Sequence, residues 1–147
     1  MIDAIAAVTK VPVKYSGLPT GARATEVTDG NPRSRFLDIF GRSRRQSSCT
    51  CERRGEPTLT QALHLINGQT VEGRLLATGG RLATLLEAKA TPEKIIEDVW
   101  LAAFSRPPTQ DELTRWAREA EEAKGDSGFW ADFMWAVLNS KEFLFNH

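Results

Sequence analysis

From position 58 onward the apolar residues fall into helical registers. Thr58 followed by Gln61 forms a capping box, and Leu59, Ala62, Leu63 and Ile66 then recur at helical spacing until Asn67-Gly68 invites a stop. A second helix from about Gln69 carries Val71, Leu75 and Leu76. Gly79-Gly80 interrupts it before Leu82, Leu85 and Leu86 resume the stripe, which predicts two short helices or one kinked one. Thr91-Pro92-Glu93 places a cap, a first-turn proline and a first-turn acid in the order that a helix start prefers. Ile95, Ile96, Val99, Trp100 and Ala103 line one side of that helix and Glu93, Lys94, Glu97 and Asp98 the other, and Arg106-Pro107-Pro108 ends it. Thr109 with Glu112 makes a second capping box and opens a helix of Leu113, Trp116, Ala117 and Ala120 that runs to about Gly125. The last predicted helix starts near Ser127 and continues to the end, burying Trp130, Phe133, Met134, Val137, Leu138 and either Leu144 or Phe145.

The earlier part reads differently. The opening MIDAIAAVTKVP has the look of a helix already under way, with an acid at position 3 and none of the basic flank or long apolar stretch of a secretory signal. Pro12, Gly17, Pro19, Gly21, Gly30 and Pro32 interrupt any period over residues 11–35, so this stretch is expected to be a connector outside the packed core. Short extended pieces at Val13–Tyr15 and Arg23–Val27 are the most it predicts. Phe36, Leu37, Ile39 and Phe40 form one apolar cluster, expected as a short anchored turn ahead of an irregular Arg/Ser loop. The expected organisation is therefore an arm and loop over residues 1–57 and a helical domain over 58–147. The fold class is all-α, with about five helices packed around an aromatic-rich C-terminal helix.

Composition narrows this picture. With 41% hydrophobic and 26% charged residues in 147, the chain has the balance of one ordinary globular domain. Its 19 basic and 19 acidic residues cancel, so it lacks the long-range field of a nucleic-acid binder. No apolar run approaches the roughly 20 residues of a membrane span. The charges are nevertheless segregated. Residues 33–54 hold seven arginines against Asp38 and Glu52, and residues 111–126 hold six acids against Arg115, Arg118 and Lys124.

Candidate chemistry concentrates in the Arg/Ser loop. Cys49 and Cys51 are the only cysteines and are separated by one residue. They admit three readings: a strained and reducible disulfide, a pair of metal ligands completed by His64, Glu52 or His147, or a pair of ordinary thiols or local structural staple. Arg42, Arg44, Arg45, Arg53 and Arg54 are candidate oxyanion ligands, because guanidinium forks bind phosphate, sulfate and carboxylate bidentately. The competing reading pairs them with Glu119, Glu121 and Glu122 or with domains outside this chain. The cluster has no interleaved aromatics, which argues against single-stranded nucleic acid. No Ser/His/Asp order, Glu-x-x-His helix or phosphate loop is present.

The blocks FLDIFGR (36–42), SSCTCER (47–53), LTQALHLING (59–68), AFSRPPTQDEL (103–113) and WAVLNSKEFLFNH (135–147) together resemble the C-terminal domain of unknown function 1553 of exported planctomycete proteins. In that family the domain follows a cytochrome-c-type segment and another uncharacterised domain. The resemblance implies the C-terminal fragment of a longer multidomain polypeptide, located in the periplasm or outside the cell. It implies no cofactor in this chain: haem would belong to the preceding part, and Cys49-Thr50-Cys51 lacks the spacing and following His of a haem-attachment motif. Residues 99–143 are also similar to helical modules repeated in some bacterial surface proteins. The resulting expectation is a structural or interaction module, not catalytic on its own. Its partners would be other domains of the same polypeptide, other surface proteins or an anionic glycan. The alternative is a share in an active site, acting on extracellular polysaccharide or in electron transfer, completed by the preceding domains.

Overall fold

The computed structural model describes residues 1–27, 34–41, 58–67 and 69–145. Among them the chain is helical and forms no strand. In order come α1 (Ile2–Thr9), a 3-10 turn (Ala24–Glu26), α2 (Arg35–Ile39), α3 (Leu59–Asn67), α4 (Gln69–Leu75), α5 (Arg81–Glu87), α6 (Pro92–Phe104), α7 (Gln110–Glu122), α8 (Ser127–Leu138) and α9 (Lys141–Phe145).

The expected caps operate as drawn from the sequence. Thr58 Oγ1 accepts the Gln61 N–H at 3.3 Å while Gln61 Oε1 accepts the Thr58 N–H at 3.0 Å, which opens α3. Thr91 caps α6, with Pro92 in its first turn. Thr109 and Glu112 exchange the same pair of bonds at the start of α7, at 3.3 and 2.7 Å. Each satisfies backbone donors that the first turn of a helix leaves without partners.

The helices α6 and α8 form the middle of the core. Ile95, Ile96, Val99, Trp100 and Ala103 of α6 join Trp130, Phe133, Met134, Val137 and Leu138 of α8 in one cluster, and all ten are buried. An aromatic cluster ties these helices to α7. Phe133 lies 4.9 Å from Trp116, 5.5 Å from Trp130 and 5.7 Å from Trp100, centroid to centroid. Such pairs contribute about 0.5–1.5 kcal/mol each beyond the area they bury.

Four sequence expectations need correction. The connector is not outside the core: Val13, Tyr15 and Ala22 are buried in the same cluster as α6 and α8, and so are Ile2, Ile5 and Val8 of α1 and Phe36 of α2. Proline and glycine ended the helical period there without removing the apolar side chains. Arg23–Val27 holds a 3-10 turn instead of an extended piece, because both carboxylate oxygens of Asp3 accept the Ala24 N–H at 3.1 Å and Glu26 folds back onto the Arg23 N–H at 2.9 Å. The final helix does not run to the end. It breaks at Asn139-Ser140, where the Asn139 side-chain amide donates to the Trp135 carbonyl and Ser140 Oγ accepts the Phe143 N–H. The residue buried beyond the break is Phe143, with Leu144 half-buried and Phe145 82% exposed. Finally, the stripe expected to anchor α3 faces outward. Leu59 is 76% and Leu63 49% exposed and Ala62 is exposed, while Leu65 is buried. The side chain of Ile66 lies outside the described residues.

Candidate functional site

The densest polar constellation among the described residues centres on Arg106, just past the end of α6. Ser105 takes a left-handed conformation (φ 56°) and closes α6 through its N–H to the Leu101 carbonyl. The chain then turns so that the Arg106 guanidinium lies between the first turn of α7 and α9. Its Nη1 and Nη2 donate to Glu112 at 2.9 Å each, and its Nε and Nη2 donate to Glu142 at 2.7 and 2.8 Å. Both pairs are two-bond forks, the strong form of this interaction. Glu112 also accepts the Thr109 N–H at 2.7 Å and the Trp100 indole N–H at 3.3 Å. The guanidinium lies 5.5 Å from the Phe104 ring.

The electrostatics follow from these bonds. Hydrogen bonds from Arg106 draw the Glu112 carboxyl down to about 2, against a smaller opposing effect of burial. They also hold Glu142 below its ordinary value. The guanidinium itself is pushed above its usual range by the bonds it donates to both acids. The guanidinium's donors are spent on the two acids and on the Pro107 carbonyl. The constellation holds helices together. It presents no nucleophile beside a base.

A second clasp ties α1 to the body. Arg81, at the start of α5, donates to the carbonyls of Val8 and Ala7 at the C-terminal end of α1 and forms an ion pair with Asp98 of α6. A cation on the last carbonyls of a helix satisfies orphan acceptors and complements the helix dipole. The Arg81 side chain is 12% exposed and that of Asp98 31%, so the pair is only partly shielded from solvent.

Of the residues singled out from the sequence, His64 is described. Its Nε2 lies 3.2 Å from Thr70 Oγ1, and its ring stands edge-on to Phe36 and Phe40, which stack at 4.2 Å. This is the environment of a structural histidine joining α2, α3 and α4. Nearby, Arg74 donates to the Thr70 carbonyl, and burial pushes its guanidinium below its ordinary value, against a smaller raising effect of Tyr15. Cys49, Cys51, Glu52, Arg42, Arg44, Arg45, Arg53, Arg54 and His147 lie outside the described residues. Among the described residues no three His, Cys, Asp or Glu side chains are placed to hold a metal ion. Two acids proposed as partners for the arginine cluster make local pairs on α7: Glu119 with Arg115 and Glu122 with Arg118.

In the sequence Arg106 reads only as part of a helix stop and Glu112 only as a cap. The signal available was a charged residue beside a proline pair, within reach of a cap acid. Glu142 sits 36 residues away and carried no local sign of its role.

A family model described as "PSD1: Protein of unknown function (DUF1553)" matches residues 23–119. That stretch includes Arg106 and Glu112, while Glu142 lies beyond it. No curated protein and no solved structure matches the chain.

Proposed function

The chain belongs to this family of unknown function, and from that premise we propose that it is a structural and interaction module of a longer exported polypeptide, docking on the other domains through the outer face of α3. The observation that carries the reading is the outward stripe of Leu59, Ala62 and Leu63. These positions at i, i+3 and i+4 form the face a helix presents to a packing partner. Residues 58–69 themselves contain no Asp, Glu, Lys or Arg. Exposing the two leucines has no benefit to the isolated fold, since each large apolar side chain forgoes about 1.5–3 kcal/mol when left in water. Support for export, and for neighbouring domains that include a cytochrome-c-type segment, comes from the resemblance of the sequence blocks alone. The Arg106 clasp agrees with a scaffold role, because its ionised groups are committed to fixing helices.

The test is the double variant Leu59→Asp and Leu63→Asp. In the isolated chain it is expected to leave the circular dichroism melt unchanged within a few degrees. In the longer polypeptide it is expected to free the module, seen as faster limited proteolysis at the junction. Equal proteolysis of variant and wild type would refute docking through α3.

A further inference from the structure

Arg81 and Arg106 are partly buried arginines matched by acids, whereas Arg74, in the last turn of α4, is not. It is half-buried, and among the described residues no Asp or Glu forms an ion pair with it. Its Nη1 donates to the Thr70 carbonyl one turn back, at 2.6 Å, and this is the one hydrogen bond its guanidinium makes among the described residues. Its Nε is closed off from water and has no acceptor. Glu72 is exposed and sits two positions earlier, about 200° around the helix axis, so it faces away. Burial pushes the guanidinium below its ordinary value, and the smaller opposing effect comes from Tyr15, with no carboxylate contributing. Arginine keeps its proton in proteins. The site therefore holds a cation partly withdrawn from water, an arrangement that costs stability until an anion joins it.

We infer that Arg74 is the receptor for a single carboxylate group, brought by a small acid or by an acidic side chain of a partner. With Nη1 spent on Thr70, the guanidinium has its Nε–Nη2 edge left, the edge that forks onto a carboxylate. One oxygen accepts from Nη2, and a small turn of the guanidinium brings Nε to the other. The bound carboxylate settles both conflicts, because it pairs the cation and supplies the acceptor that Nε lacks. Charge selects carboxylate over phosphate. One guanidinium neutralises one negative charge, whereas a phosphate group brings about 1.5–2, and among the described residues no other Lys or Arg shares these contacts. The receptor is held in place by its neighbours. Val71 and Leu75 on the same helix are buried, Tyr15 is 5% exposed, and Thr70 Oγ1 lies 3.2 Å from His64 Nε2, whose ring stands edge-on to Phe36. A group fixed before binding spares the ordering cost that weakens contacts on a mobile surface. Neither Leu59 nor Leu63 takes part, so this site stands or falls apart from the docking face of α3.

The test titrates the intact, isotope-labelled chain with sodium acetate, with the blocked tripeptide acetyl-Gly-Glu-Gly-amide and with sodium phosphate, at neutral pH and constant ionic strength. Nuclear magnetic resonance follows the Arg74 Nε–H and the Thr70 amide. The arginine-rich segment 33–54 also attracts carboxylates, and its own Nε–H signals report that separately. Both carboxylates are expected to shift the Arg74 signal saturably, and phosphate to bind at least threefold more weakly. The tighter of the two carboxylates identifies the source, a small acid or a side chain in a peptide. Arg74→Met removes the charge and keeps an unbranched stem, and is expected to abolish the saturable shift at Thr70 while the circular dichroism melt stays cooperative. Arg74→Lys keeps the charge without the fork and is expected to bind at least threefold more weakly than wild type; it decides the matter if the Met variant does not melt cooperatively. A missing saturable shift at Arg74 overturns the assignment, and so does phosphate binding as tight as acetate. A shift at Thr70 that survives Arg74→Met, or wild-type affinity in Arg74→Lys, overturns it equally.

Discussion

Replacing Arg106 by alanine removes four hydrogen bonds to two carboxylates, at 2.7 to 2.9 Å. In a buried site each charge-assisted bond would be worth about 1.5–3 kcal/mol. Here the side chains are roughly one-third exposed, at 34, 32 and 38% for Arg106, Glu112 and Glu142. Water therefore screens the attraction and rehydrates the carboxylates once the arginine is gone. Two discounted forks, together with the repulsion between two acids left facing each other, bring the expected loss to about 2 kcal/mol. For a chain of this length that lowers Tm by about 4–8 °C. The pH dependence has a defined sign. Glu112 has a folded pKa of about 2, below its ordinary value of 4.5, so its contribution is complete above about 4.5 and is lost as pH falls towards 2. Glu142 shifts the same way. Thermal melts of wild type and Arg106→Ala at pH 7 and at steps down to pH 2.5 should show a gap that is widest at neutral pH and narrows through this window. A gap under 2 °C at pH 7, or one that stays constant into acid, refutes the assignment of Arg106 as the clasp.

Other consequences can be checked in the same way. Gly80→Ala should destabilise by about 1–3 kcal/mol in a chemical-denaturation series, because its Cβ would sit 2.8 Å from the Ala77 carbonyl oxygen and 3.2 Å from that of Thr9. Arg81→Ala should cost about 2 kcal/mol and speed amide exchange in α1 above the rest of the chain, since it strips the cap from that helix and leaves Asp98 alone. Ser105→Gly should raise stability by about 0.5 kcal/mol, because only glycine takes the left-handed cap of α6 without steric cost. Truncation at Asn139 deletes the fully buried Phe143 and the clasp acid Glu142, and is expected to abolish cooperative melting by circular dichroism; an unchanged melt would refute the view that the tail completes the core.

The local grammar of this chain was legible because it is written in neighbouring residues. Thr58 with Gln61, Thr91 with Pro92 and Thr109 with Glu112 announce helix starts that physical caps then supply. The buried face of α8 was legible too, since its apolar positions are too many to leave exposed. Direction was harder to read. Periodicity shows that α3 has an apolar face but does not say which way it turns, and the face with Leu59 and Leu63 turned out. Contacts between distant segments left no pattern: Arg106 finds Glu142 across 36 residues, and Arg81 reaches Val8 across 73. The connector was misread for a related reason, as its prolines and glycines mark the path of the backbone while Val13, Tyr15 and Ala22 still bury their side chains.

The most direct test of the module reading is hydrogen–deuterium exchange at Leu59–Leu65, compared between this chain alone and the longer polypeptide proposed above under the same buffer. A docked α3 predicts exchange slowed at least tenfold in the longer polypeptide, while the buried centre of α6 is unchanged. Equal rates at α3 in both proteins would contradict the account.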